Sequence, residues 1–166
     1  MIIDISDLTS KKVTEKEINT SFNCTDFSYD EEYIKFVKPV ILSGKFRAVE
    51  DLIAFQGEIE AYMELTCSRC LEKFQYSLNV DFHEEFTKDE FNEDEEIFFF
   101  ENSEIDFSKI IENNIILNLP IKKLCKTDCK GLCPSCGDDL NKSSCSCIKD
   151  DIDPRFVKLK DFFSNN

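Results

Sequence analysis

Tryptophan is absent from this 166-residue chain, and His83 is its single histidine. With one imidazole, no Ser/His/Asp set can be assembled around a choice of bases. Glycine and proline number four each, which excludes collagen-like and low-complexity chains. No glycine-rich phosphate loop is present. No run of 18 or more apolar residues occurs, so no membrane span is expected. Residues 1–8 lack a basic segment followed by an apolar stretch, so no secretory signal is expected either. The expected location is therefore a reducing cytoplasm, where clustered cysteines are metal ligands more often than disulfides.

What is present begins with phenylalanine and acid. Hydrophobic residues make up 42% of the chain and include 16 Phe, enough for a buried core. Net charge is −14, unevenly spread. Residues 1–101 carry 24 acidic against 10 basic side chains, whereas residues 102–166 hold ten of each. A phosphate backbone is repelled by the first part and tolerated only by the second, so any nucleic-acid contact must be local or made through a protein partner.

Eight of the nine cysteines fall into four close pairs: Cys67/Cys70, Cys125/Cys129, Cys133/Cys136 and Cys145/Cys147; Cys24 stands alone. A tetrahedral Zn²⁺ site takes four thiolates, usually as two short-range pairs. Eight paired thiols therefore suggest two structural Cys₄ zinc sites. Cys133-Pro-Ser-Cys136-Gly137 followed by Cys145-Ser-Cys147 is the strongest signal. Gly137 permits positive φ, so that backbone N–H groups can point at the sulfurs. The four pairs can be combined in three ways. Closing a short loop costs less chain entropy, which favours a local ribbon plus a long-range site from Cys67/Cys70 and Cys125/Cys129. In that arrangement the long-range metal pins the chain after the helix to a hairpin tip. Such a saturated site offers no open coordination position for catalysis.

The chain divides into residues 1–120, an antiparallel sheet domain with a packing helix, and residues 121–166, a cysteine-rich tail. Residues 1–9 read as a short strand, and residues 10–32 are polar and suggest no element. Ile34 to Val49 reads as one strand, with Pro39 and Gly44 marking an edge or bulge. Glu50-Asp51 reads as a turn. Phe55, Ile59, Ala61, Met63 and Leu65 alternate with Gln56, Glu58, Glu60 and Glu64; Tyr76, Leu78, Val80 and Phe82 alternate likewise. The two strands flank Cys67-Ser-Arg-Cys70, which places that knuckle at a hairpin tip. Residues 84–96 form a dense acidic run, expected to be a solvated loop, and Ile97 to Phe100 a further strand. An amphipathic helix is expected over 107–118, capped by Asp106 and ended by Pro120, with Ile110, Ile111, Ile115 and Leu117 or Leu119 facing the sheet. Asp153-Pro154 opens a last short helix running to about Phe163. The fold class expected is α+β: an antiparallel sheet or meander covered by one amphipathic helix, with a zinc-ribbon-like segment and a short terminal helix.

Several of these segments together resemble the YceD family of large ribosomal RNA subunit accumulation proteins. They are Cys67-Ser-Arg-Cys70-Leu71-Glu72 ahead of a strand ending Phe82-His-Glu-Glu-Phe86, and the helix ending Leu117-Asn-Leu-Pro120. Cys129-Lys-Gly-Leu-Cys-Pro-Ser-Cys-Gly137 with Leu140-Asn141 and the closing Asp153-Pro-Arg155 complete the set. The resemblance covers about residues 35–163. It implies a bacterial cytoplasmic factor needed for normal 23S rRNA levels, acting in assembly of the large ribosomal subunit. The expected function is thus a non-enzymatic zinc-binding factor whose partner is precursor rRNA or a large-subunit ribosomal protein, with no small-molecule substrate. Arg69, Lys122, Lys123, Lys126 and Lys130 surround the cysteines and are the candidate RNA contacts. A metal-dependent rRNA-processing nuclease and a thiol-based redox sensor are the alternative readings.

Overall fold

The computed structural model describes residues 1–29, 32–50, 52–89 and 97–147. The expected terminal helix, Asp153 to Phe163, lies outside the described residues. So does the greater part of the acidic run, 90–96.

The centre of the fold is a long meander. Strand β5 (Val40–Val49) turns into β6 (Leu52–Thr66), which turns into β7 (Lys73–Thr87), each pair antiparallel. β6 and β7 keep an unbroken register from Leu52↔Thr87 to Thr66↔Lys73. Alternation fixes that register, since a one-residue slip would turn the buried set outward. The buried hydrophobic set is Ile53, Phe55, Ile59, Ala61, Met63 and Leu65 on β6 and Leu78, Val80, Phe82 and Phe86 on β7.

The sheet departs from the sequence expectations at several places. Residues 10–32 are not featureless: β2 (Glu15–Phe22) pairs with β5, and β3 (Phe27–Tyr29) with β4 (Glu32–Phe36). β2 alternates exposed and half-buried residues along its whole length, but its half-buried set includes Lys16 and Thr20, which conceal the period. The span from Ile34 to Val49 is two strands, broken ahead of Val40 at Val37–Pro39, where proline cannot donate to a ladder. β4 then pairs with the far end of β6. Gly44 is no bulge; it sits in regular register opposite Gly57. The acidic run begins inside β7, because Glu84 and Glu85 complete the pairing with Phe55 and Ala54. Finally, β8 (Ile97–Phe99) joins β7 in parallel.

Beneath the sheet, β1 (Ile2–Asp4) pairs with β9 (Glu104–Asp106), and a four-residue helix α1 (Ser6–Thr9) follows β1. Helix α2 (Ser108–Asn118) lies across the core and buries Ile110, Ile111 and Ile115. Of the two leucines proposed for that face, Leu119 packs on the core while Leu117 is 80% exposed. The helix cap is Phe107 rather than Asp106, because the Phe107 ring is drawn into the core. Its ring centroid lies 5.1 Å from that of Phe55, 5.7 Å from Phe86 and 5.9 Å from Phe46. Offset and edge-on aromatic contacts at such distances stabilise by about 0.5–1.5 kcal/mol per pair beyond area burial. Asp106 still serves the helix start: its Oδ1 accepts the Ser108 N–H at 2.9 Å and the Met1 ammonium at 2.8 Å. Among the described residues no helix is long and apolar enough to cross a membrane.

Candidate metal centre

Helix α2 ends at Asn118, just ahead of Pro120, and the chain that leaves it returns to the tip of the β6–β7 hairpin. The tip, Cys67–Glu72, is closed by the Cys67 N–H donating to the Glu72 carbonyl at 2.9 Å and the Leu71 N–H donating to the Cys67 carbonyl at 3.0 Å. Leu71 sits at φ +61°, the left-handed region that favours glycine. At the matching place in the second knuckle stands Gly137, at φ +78°. The returning chain is stitched on by three bonds. The Ser68 N–H donates to the Lys123 carbonyl at 2.8 Å, the Leu132 N–H to the Arg69 carbonyl at 3.1 Å, and Arg69 Nη1 to the Cys129 carbonyl at 2.7 Å. Gly131, at φ +76°, allows this approach; a Cβ there would stand 3.1 Å from the Arg69 carbonyl oxygen.

The eight paired cysteines come together as two quartets. Cys67, Cys70, Cys125 and Cys129 form one and Cys133, Cys136, Cys145 and Cys147 the other, with the sulfurs of each group within 4.8 Å of one another. In the first quartet, Cys67 and Cys129 Sγ lie 3.8 Å apart and Cys70 and Cys125 Sγ 3.6 Å apart. A ZnS₄ tetrahedron with Zn–S bonds of about 2.3 Å has edges of about 3.8 Å, so the first quartet fits the ion. Cys67, Cys70 and Cys129 are buried, with Phe74, Leu124 and Leu132 packed against them. The second quartet is more open: Cys133 is buried, Cys145 and Cys147 are half-buried, and Cys136 is exposed.

The acidities within each quartet match a cation-demanding donor set. Burial opposes ionisation of Cys67, but the backbone N–H groups of Cys125, Cys70 and Arg69 outweigh it and bring its pKa down to about 6. At Cys133 the N–H groups of Cys136 and Ser135 lead, again lowering it to about 6. Their neighbours move the other way. Burial and the adjoining sulfurs push Cys125 up to about 12. The Asp138 N–H lowers Cys136, yet the Cys133 sulfur and burial carry it up to about 12. In the second knuckle Cys133 ionises readily and its sulfur suppresses Cys136, a conflict that a bound dication would remove by holding every sulfur as thiolate.

Asn141 is the residue that sequence reasoning did not assign. It lies in the chain between Cys136 and Cys145, yet its Nδ2 donates to Cys129 Sγ of the other quartet at 3.4 Å. Its Oδ1 accepts the Lys130 N–H at 2.9 Å. Its only signal in the sequence is its place beside Leu140 after the second knuckle. Lys142 adds a bridge to Glu72 at 3.0 Å, from the second quartet's loop to the first quartet's knuckle.

The cationic residues proposed for RNA occupy this same end. Lys122, Lys126 and Lys130 are exposed, Lys123 is half-buried, and Arg69 is committed to the Cys129 carbonyl. Cys24 stands apart, half-buried beside Phe22, Phe27 and Ile111, where burial pushes its thiol up to about 11. His83 is exposed on the outer face of β7, 3.7 Å from Glu85.

The hairpin-tip segment Cys67–Glu72 and the segment Cys129–Gly137 are two of those that carried the family resemblance. A family model agrees: residues 55–163 match the model of large ribosomal RNA subunit accumulation protein YceD. The chain belongs to the YceD family. An uncharacterised protein of Mycobacterium tuberculosis is 31% identical over 123 residues, 71% of this chain. The YceD-family chain described here spans 59% of that relative's length. The uncharacterised protein YlbN of Bacillus subtilis is 28% identical over 130 residues, 76% of each chain. The chloroplastic large ribosomal RNA subunit accumulation protein YCED homolog 1 of Arabidopsis thaliana is 39% identical over 59 residues, 36% of this chain and 18% of its own. No solved structure matches the chain.

Proposed function

We propose that the protein is a non-enzymatic assembly factor that supports accumulation of 23S rRNA and of the large ribosomal subunit, built around two structural zinc ions. Its partner is precursor rRNA or a large-subunit ribosomal protein, met in the cytoplasm. Membership of the YceD family, with its large-subunit rRNA description, is the single observation that carries this reading. The geometry of the metal centre supports it. Cys67, Cys70, Cys125 and Cys129 would hold one zinc and Cys133, Cys136, Cys145 and Cys147 the other, as a ribbon. Four thiolates saturate a tetrahedral ion, so the zinc supplies structural closure rather than a reactive water.

The charge distribution supports a polarised contact surface. Residues 121–147 carry five lysines against three aspartates, with Lys122, Lys126 and Lys130 exposed. The outer face of the sheet is acidic instead: Glu58 lies opposite Asp81 in the β6–β7 register. RNA phosphates favour the cysteine-rich end, and basic ribosomal proteins favour the acidic face.

Depletion tests the function. Loss of the protein should lower 23S rRNA relative to 16S rRNA and shrink the free large-subunit peak in sucrose gradients. Re-expression of the intact chain should restore both, and Cys67→Ser/Cys129→Ser should not. Unchanged rRNA and subunit profiles on depletion would defeat the proposal.

A further inference from the structure

We propose that Asn141 couples the two cysteine quartets, so that filling either one raises the metal affinity of the other. The inference rests on the reading that both quartets hold zinc. Only Lys130, Gly131 and Leu132 separate the last ligand of the first quartet, Cys129, from the first ligand of the second, Cys133. The loop that closes the second quartet is laid over this connector. The Leu140 N–H donates to the Gly131 carbonyl at 3.0 Å, and the Cys133 N–H to the Asp138 carbonyl at 2.8 Å. Asp139 Oδ1 fixes Asn141 itself, accepting its backbone N–H at 2.9 Å and Nδ2 at 2.7 Å. The carboxamide held in this way donates to Cys129 Sγ and accepts from Lys130 N–H.

The direction of coupling follows from the chemistry. Four thiolates around one dication carry excess negative charge, which N–H donors to sulfur disperse. A metal in the second quartet orders the loop from Cys136 to Cys145 and so presents the Asn141 donor to Cys129. A metal in the first quartet fixes Cys129 and gives that donor its acceptor. Linkage makes the effect reciprocal: each metal must raise the affinity of the other by the same factor. Asn141 is a positioning residue in this scheme and touches no metal.

The test uses the full chain, stripped and reloaded with ¹¹³Cd²⁺, whose two resonances report the quartets separately, together with Zn²⁺ competition against a chromophoric chelator. Removing the second quartet with Cys145→Ser/Cys147→Ser should weaken the first by about 10–100-fold. Asn141→Ala and the isosteric Asn141→Asp should weaken the first quartet by a similar factor and shift its resonance, although neither alters a ligand. Combining Asn141→Asp with Cys145→Ser/Cys147→Ser should add little further loss, since both remove one link. A first quartet indifferent to loss of the second, or losses that multiply in the combined variant, would overturn the coupling while leaving the zinc reading intact. A protein that takes up metal at neither quartet would overturn both.

Discussion

At the scale of single residues, a few positions carry geometry that no other side chain could supply. Gly57 and Gly44 face each other across β5 and β6, and the Phe55 ring lies over both. A Cβ on Gly57 would stand 2.5 Å from the Phe55 ring and 2.5 Å from the Ser43 carbonyl oxygen. Gly57→Ala must therefore displace the ring at the heart of the aromatic cluster. It should cost about 1–3 kcal/mol, seen as a lower urea midpoint with an unchanged m-value. An unchanged midpoint would show that the ring has room to move. Leu71 presents the opposite case. Its left-handed backbone costs about 1–2 kcal/mol, and its side chain is 65% exposed, so little packing is lost with it. Glycine's extra freedom in the unfolded chain returns about 0.5–1 kcal/mol of that. Leu71→Gly should accordingly leave stability equal or up to about 1 kcal/mol higher by the same measurement.

At the scale of elements, helix α2 depends on its junction with β9. The Asp106 carboxylate accepts the Met1 ammonium and the Ser108 hydroxyl and N–H, with Met1 also bonded to Ser108 Oγ. These partners, the ammonium first, hold the Asp106 pKa at about 2, below its ordinary 3.8. A carboxyl lowered on folding stabilises the native state above its unfolded pKa. That contribution is full above about pH 4 and lost as pH falls toward 2. Asp106→Ala should cost about 1 kcal/mol at neutral pH. It should also flatten the fall in stability between pH 4 and pH 2, read by chemical denaturation at each pH. The elements that could be read from the sequence were those with uninterrupted periods: β6, β7 and the isoleucine face of α2. The knuckle's place at the hairpin tip followed from the two flanking alternations. The elements that could not be read were short or masked. The period in β2 is hidden by Lys16 and Thr20 on its half-buried side. The three-residue strands β3 and β9 are too short to show a period at all, while β1 and β8 were legible only as strand-like stretches within 1–9 and 97–100. The parallel pairing of β8 is a tertiary choice that no local pattern encodes.

At the scale of the whole molecule, the sheet and the cysteine-rich end stand in different relations to metal. The core cluster runs from Ile5 to Ile115 without a cysteine ligand, whereas Cys67, Cys70 and Cys129 form a cluster of their own. Chelation should therefore free residues 121–147 while the sheet persists. In hydrogen exchange, amides of 121–147 should lose protection, and those of β5, β6 and β7 short of the hairpin tip should keep theirs; global loss would contradict this division. The grouping of the cysteines into two quartets was also legible in the sequence, because four close pairs offer only three ways to combine. The sequence did not hold the links between the quartets, Asn141 to Cys129 and Lys142 to Glu72, since neither residue type announces a ligand's neighbour. The most direct measurement is metal content with zinc-edge X-ray absorption on the purified chain. Two zinc ions per chain, each bonded to four sulfurs at about 2.3 Å, is the expected result. Fewer than two ions, or an oxygen or nitrogen in either coordination sphere, would contradict the closed four-sulfur sites.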